Sequence, residues 1–126
     1  MLPNILLKIE EKLKDASLLS DDQLNRFLVL LKRYKKGEWI YPGVLIRKLD
    51  IPSSKAYKLL DILKDIGILE VNYELYCHKC NTFEGTIYET FSQMPNDLIC
   101  EGEGCEAELV PLVNSIVIYK VINDGE

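Results

Sequence analysis

The chain has 126 residues, of which 48 % are hydrophobic and 28 % charged, and its formal net charge is −5. These totals fit one soluble domain, or two small ones sharing a core, of the α+β class. No run of about 18 apolar residues occurs, which excludes a helical membrane span.

The first predicted element runs from Leu2 to Ala16. Leu2, Leu6, Ile9 and Leu13 recur at spacings of four, three and four, the stripe of an amphipathic helix. Pro3 fits its first turn. The stripe serves either to pack on the domain or, as two short heptads, to pair with a copy in a homodimer. Ser20-Asp21-Asp22-Gln23 reads as a capping box that opens a second helix. Its apolar face is Leu24, Phe27, Leu28, Leu31 and Tyr34. Lys32, Arg33, Lys35 and Lys36 are expected in its last turn, where cations complement the helix dipole, with Gly37 as the stop.

Glu38 to Tyr41 reads as a short extended stretch, broken by Pro42 and Gly43. Val44, Leu45 and Leu49 belong to a short helix that ends near Asp50-Ile51-Pro52. Ser53 is the expected N-cap of the next helix. There Ala56, Leu59, Leu60 and Leu63 fall at i, i+3, i+4 and i+7 and form the buried face. Ser54, Lys55, Tyr57, Lys58, Asp61 and Lys64 are left pointing outward. Gly67 ends the helix, and Ile68-Leu69-Glu70-Val71 begins a strand.

This order resembles a winged helix-turn-helix domain over roughly residues 20–76. The likeness is carried by Val44–Leu49 as the first helix of the pair, Ile51–Ser54 as the turn, Ala56–Gly67 in the recognition-helix position, and the closing run Leu60–Leu69. It implies a helix presented to the DNA major groove. The residues in that position are Ser54, Lys55, Tyr57, Lys58 and Lys64, with Arg47 and Lys48 beside them. Serine, lysine and tyrosine contact phosphates, and lysine can donate to guanine. No arginine stands on the helix, and Asp61 and Asp65 sit among the lysines. Three or four phosphate contacts at most are expected, and the alternative is a merely solvated helix face.

After Tyr76 the chemistry changes. Cys77-x-x-Cys80 and Cys100-x4-Cys105 are separated by 19 residues. Two such clips at the ends of hairpins can set four thiolates at the corners of a tetrahedron, the closed geometry of a structural zinc site. Two disulfides, a redox pair and a rubredoxin-like iron site are the competing readings. No signal peptide is expected, because the N-terminus is helical in period and charged, so a cytoplasmic setting would keep the thiols reduced. His78, the lone histidine, is expected to face solvent within the first clip. Further strands are expected at Thr86–Ser92, Ala107–Leu112 and Ser115–Ile122. The last is expected to pair with Ile68–Tyr76, so that the ribbon grows out of the tip of the wing. The segments are thus an N-terminal helix (1–19), a winged helix (20–76), a zinc ribbon (77–112), and a returning strand with a short tail (113–126).

A winged helix joined to a zinc ribbon is similar in architecture to archaeal transcription factor E and the related eukaryotic general-factor subunit. The resemblance implies work beside a polymerase and promoter DNA, with the ribbon docking on protein. Charge agrees with two different surfaces. Residues 1–66 carry 13 Lys and Arg against 9 Asp and Glu, while residues 67–126 carry 2 against 11. Glu84, Glu89, Glu101, Glu103, Glu106 and Glu108 would repel DNA and suit a basic protein patch. Tyr73, Tyr76, Phe83, Tyr88 and Phe91 are docking anchors or, more plainly, the small core of the ribbon. Neither a phosphate-binding glycine loop nor H-E-x-x-H is present, and no nucleophile–base pair stands out, so no catalytic activity is expected. The expectation is a zinc-containing protein of transcription or a nucleic-acid-associated assembly, binding DNA and a protein partner but no membrane. The alternative is an adaptor that never touches nucleic acid.

Overall fold

A computed structural model describes residues 1–126. The chain is α+β, with five α-helices, one short 3₁₀ turn and six strands. It forms two compact units. Unit 1 comprises residues 1–70 and 119–126, and unit 2 comprises residues 71–118. In chain order, unit 2 is therefore an insertion, entered along one strand and left along another.

Unit 1 begins with α1 (Pro3–Ala16), whose Ile5, Leu6, Ile9 and Leu13 are buried. Of the expected stripe, Leu6, Ile9 and Leu13 are buried and Ile5 joins them, whereas Leu2 caps the helix and is 40 % exposed. Leu7, on the other side, is 57 % exposed. α2 (Asp21–Leu31) opens on the expected capping box: the Gln23 N–H donates to Ser20 Oγ at 3.2 Å, and the Ser20 N–H donates to Gln23 Oε1 at 3.1 Å. The helix stops earlier than the sequence suggests. Lys32 is its C-cap, and Arg33, Lys35 and Lys36 lie beyond it. The Arg33 and Tyr34 N–H groups donate to the carbonyls of Leu30 and Leu31, which tightens the turn and ends the α-pattern. Gly37, at φ +96, donates its N–H to the Val121 carbonyl rather than closing the helix.

Strand β1 is only Trp39–Ile40. Pro42 and Gly43 end the extended stretch as expected, and they do so by opening α3 (Pro42–Leu49), because proline lacks the N–H that the first helical position leaves unused. α4 (Ser53–Asp65) starts one residue before the expected position. Pro52 occupies the cap with extended backbone, so Ser53 is the first helical residue and makes no cap bond. Ala56, Leu59, Leu60 and Leu63 are fully buried, as their spacing requires. Tyr119, also buried, donates its hydroxyl to Asp61 Oδ1 at 2.8 Å.

Two longer strands follow, β2 (Leu69–Cys77) and β3 (Thr82–Tyr88). The expected strand at 86–92 is therefore displaced toward the first cysteine clip, and Phe91–Gln93 forms the 3₁₀ turn instead. Strand β4 (Leu98–Ile99) pairs with β5 (Glu108–Leu109). The expected strand at 107–112 is cut short because Pro111 starts α5 (Pro111–Asn114). Strand β6 (Ser115–Val121) returns to the main sheet, whose order is β1-β6-β2-β3. Residues 68–76 and 115–122 thus become sheet neighbours, as their length and apolar character suggest.

Truncating a packed α4 side chain leaves a cavity, whereas trimming an exposed one does not. Leu60→Ala should lower the unfolding free energy by about 2–5 kcal/mol. Leu112→Ala, at a residue that is 85 % exposed, should change it by less than about 0.5 kcal/mol. Urea denaturation of the two variants reads both.

Candidate metal centre

The centre is built by two hairpin turns of unit 2. Along the first hairpin, β2 pairs with β3 at Tyr73↔Tyr88 and Glu74↔Ile87, then shifts register and resumes at Tyr76↔Phe83 and Cys77↔Thr82. Across the shift the single residue Leu75 of β2, fully buried, stands against residues 84–86 of β3. Cys77 is the last residue of β2, and Cys80 lies in the turn that leads to β3. Asn81 closes that turn in the left-handed region at φ +56, a conformation that asparagine tolerates.

The second turn follows β4. The Cys100 N–H donates to the Ala107 carbonyl at 2.7 Å, and the Cys105 N–H donates to the Gly102 carbonyl at 3.0 Å. Gly104 and Glu106 are both left-handed, at φ +71 and +48. These two residues let the longer clip fold back without moving its cysteines apart. The sulfurs of Cys77, Cys80, Cys100 and Cys105 all lie within 4.8 Å of one another. They approach most closely across the two turns, Cys77 to Cys105 at 3.5 Å and Cys80 to Cys100 at 3.3 Å. A tetrahedral ion with bonds of about 2.3 Å sets its sulfurs ~3.8 Å apart, inside this range. A disulfide would bring two of them to about 2.05 Å, and all four thiols are unbridged. The four cysteines could therefore hold one metal ion with little movement.

Backbone N–H groups already point at three of the sulfurs. Cys80 donates to Cys77, Gly102 to Cys100 and Ala107 to Cys105. Donors of this kind orient the ligands and favour their charged form. The effect is strongest at Cys77, where the Cys80 N–H, against the opposing effect of burial and with help from the neighbouring thiols, pulls the thiol down to about 6. The Gly102 N–H also acts downward on Cys100, but the Cys80 and Cys77 thiols and burial outweigh it and push Cys100 up to about 12. At Cys105 the Ala107 N–H lowers, while burial and the Cys77 thiol prevail and raise it. Four sulfurs this close cannot all be anionic without a cation among them.

Around the sulfurs is a small core. Leu75, Met94 and Leu109 are buried with Cys77, Cys100 and Cys105, and Tyr73, Tyr88 and Leu98 pack against them. Tyr73 and Tyr88 therefore belong to the core reading of the aromatic residues, whereas Phe83 and Phe91 are about 40 % exposed. Tyr76 stacks edge-on against both Phe83 and His78, at ring separations of 4.8 and 5.2 Å. His78 is exposed and is not one of the four clustered donors. Glu84, Glu89, Glu101, Glu103, Glu106 and Glu108 are all exposed.

Three contributors escape a reading of the cysteine spacing. Thr82 sets its hydroxyl 3.1 Å from Cys80 Sγ. Lys79 donates from Nζ to the Cys105 carbonyl at 3.3 Å, fastening one clip to the other. Gly102 lies under the sulfurs, and a Cβ there would stand 3.1 Å from Cys80 Sγ and 3.3 Å from Cys100 Sγ. The only sequence signal for it is a glycine between two ligands, which reads as flexible backbone rather than as clearance.

The α4 residues form a separate set in unit 1. Ser54, Lys58 and Lys64 are exposed, and Lys55 and Tyr57 are half-buried. Arg47 and Lys48 are exposed in the last turn of α3. Of the acids among them, Asp61 accepts the Tyr119 hydroxyl and Asp65 lies 4.0 Å from the Lys64 ammonium. Comparison with known proteins finds no matching family model, no matching curated protein and no matching solved structure.

Metal binding should displace protons, since Cys100 and Cys105 hold theirs at neutral pH and must lose them to ligate. At least two protons per ion are expected, so affinity should fall as pH drops, by about a hundredfold per unit. Proton release in weakly buffered solution measures the count. Gly102→Ala presses on two ligands and should weaken the ion by about tenfold, read by competition with a chromogenic chelator.

Proposed function

We propose that the four cysteines hold one structural Zn²⁺, and that the chain is a non-catalytic winged-helix protein of transcription or another nucleic-acid-associated assembly. The observation that carries the metal reading is four thiols converging within 4.8 Å. Soft thiolates in tetrahedral array select zinc or iron over magnesium or calcium. Four of them leave no coordination position for water or substrate, so the ion is a staple rather than a reagent. A reducing, cytoplasmic setting keeps such thiols available. Metal analysis of the purified protein should find one zinc per chain; iron in its place would overturn the zinc assignment.

The winged-helix reading is supported by the order α2, β1, α3, α4, β2 and by the sheet neighbours β1-β6-β2. In this reading β2 and β6 are the wing strands, and the metal-bearing unit is inserted between them. The DNA-facing side is that of α4, with Ser54, Lys55, Tyr57, Lys58 and Lys64, flanked by Arg47 and Lys48. The partners of Asp61 and Asp65 soften the repulsion that these acids would offer to phosphate. Unit 2 faces protein, since residues 71–118 hold Lys79 as their one cation against eight acidic residues. That imbalance also favours the second reading, an adaptor that binds only protein.

Fluorescence anisotropy with a mixed-sequence duplex separates the two readings. Binding should weaken with salt at a log–log slope of about −3 to −4, the mark of three or four phosphate contacts. Reversing Lys55 and Lys58 to Glu should abolish it. Absence of binding at low salt would leave the adaptor reading.

A further inference from the structure

Unit 2 presents an apolar knuckle to solvent. Leu112 and Val113 on α5 are 85 % and 67 % exposed, and Ile99, opposite Glu108 in the β4–β5 pair, is 56 % exposed. The knuckle is held stiffly. Buried Asn114 accepts the Val110 N–H at 2.8 Å through its side-chain oxygen, and its Nδ2 donates to the Tyr76 carbonyl at 3.0 Å. The Val113 and Asn114 backbone N–H groups both return to the Val110 carbonyl, and Pro111 is buried. A surface that fixes two aliphatic side chains outward loses little further entropy when it docks. Exposed Glu101, Glu103, Glu106 and Glu108 lie between Ile99 and Leu112 in the chain, with Glu108 directly opposite Ile99, so these apolar residues are set among carboxylates.

Unit 1 carries the complement. A furrow of about 270 Å³ on the outer side of α2 is lined by Asn25, Arg26, Val29, Leu30, Arg33 and Lys48. Val29 on its floor is 54 % exposed. Arg33 and Lys48 form no salt bridge, while Arg26 is ion-paired with exposed Asp22 at 3.0 Å and donates to the Lys48 carbonyl at 3.3 Å. The furrow meets a second one, of about 490 Å³, that shares Asn25 and Val29 and adds Leu7, Leu28 and Lys32. The second furrow also carries Glu10, which is ion-paired with Lys14 at 3.2 Å, so the result is an apolar trough whose rim is mainly cationic.

We infer that the partner of the acidic knuckle is this furrow on a second copy of the chain. Shape class and charge match on both sides: an apolar tip with carboxylates against an apolar floor with guanidinium and ammonium groups. The inference rests on the protein-facing reading of unit 2 and names its partner. It does not use Leu6, Ile9 and Leu13 of α1, which are buried. The contact is small and polar-rimmed, so the association belongs to the weak class and weakens with salt.

Sedimentation velocity of the zinc-loaded chain tests it, over a concentration series at low and at physiological salt. Self-association that weakens with salt is expected. Val29→Asp with Arg33→Glu on the furrow, and Leu112→Ser with Val113→Ser on the knuckle, should each raise the dissociation constant at least tenfold. All four positions are exposed, and unchanged melting curves verify that the variants fold. Mixing Arg33→Glu chains with Glu106→Lys, Glu108→Lys chains should restore association between the two. A monomer at every concentration, or association that either surface variant leaves intact, would overturn the inference. The underlying protein-facing reading fails separately, if an immobilised Lys/Leu-alternating peptide binds wild-type chain no better than the Glu106→Lys, Glu108→Lys variant.

Discussion

Unit 2 depends on the meeting of its four sulfurs. Residues 71–118 bury few large apolar side chains, and three of the six most buried members of their core are cysteines. Remove the reason for those cysteines to stay together and what remains is Leu75, Met94 and Leu109 under two short hairpins. Segments of this size rarely bury enough apolar area to fold alone. The raised Cys100 and Cys105 thiols describe the same fact electrostatically. Without a cation the cluster retains protons, and with one it can become four ligands at once. Binding of an ion by these four thiols would therefore be coupled to the folding of this unit.

Unit 1 rests on a different balance. Its helices bury complete apolar faces, with Ile9, Phe27, Leu45, Leu59, Leu60 and Leu63 within 2 % of full burial. No special chemistry is needed to hold it. That leaves its surface free to carry charge: with residues 119–126 it holds 14 Lys and Arg against 12 Asp and Glu, while unit 2 is strongly acidic. The division of charge therefore follows the division of the fold. Sequence halves approximate it, but the returning strand β6 belongs partly to each unit, and only the three-dimensional pairing reveals that.

What could be read from the sequence was whatever local physics decides. The capping box at Ser20 and Gln23, the buried face of α4 and the convergence of the cysteine pairs each follow from spacing within a few residues. The misplacements have a common cause in proline and glycine, whose meaning depends on neighbours. Pro42 and Pro111 end extended segments by opening helices, and Pro52 takes the cap that Ser53 seemed to own. Gly37 serves the sheet through Val121 instead of closing α2. The register of β3 was hidden because a bulge near Leu75 moves the pairing toward Cys77. Gly102 was hidden more deeply, since its role is the absence of a side chain beneath sulfurs that are adjacent only in space.

Asn114 shows how the metal chemistry reaches the surface of unit 2. Its amide ties the base of the Leu112–Val113 knuckle to the Tyr76 carbonyl, one residue before Cys77. The strand that delivers the first ligand is therefore the strand that anchors the exposed apolar tip. An asparagine only 7 % exposed with both polar atoms of its amide engaged is costly to leave half-satisfied, so the knuckle and the end of β2 are held as one piece. With an ion holding the sulfurs, the end of β2 would gain a fixed point, and the knuckle would share it through Asn114.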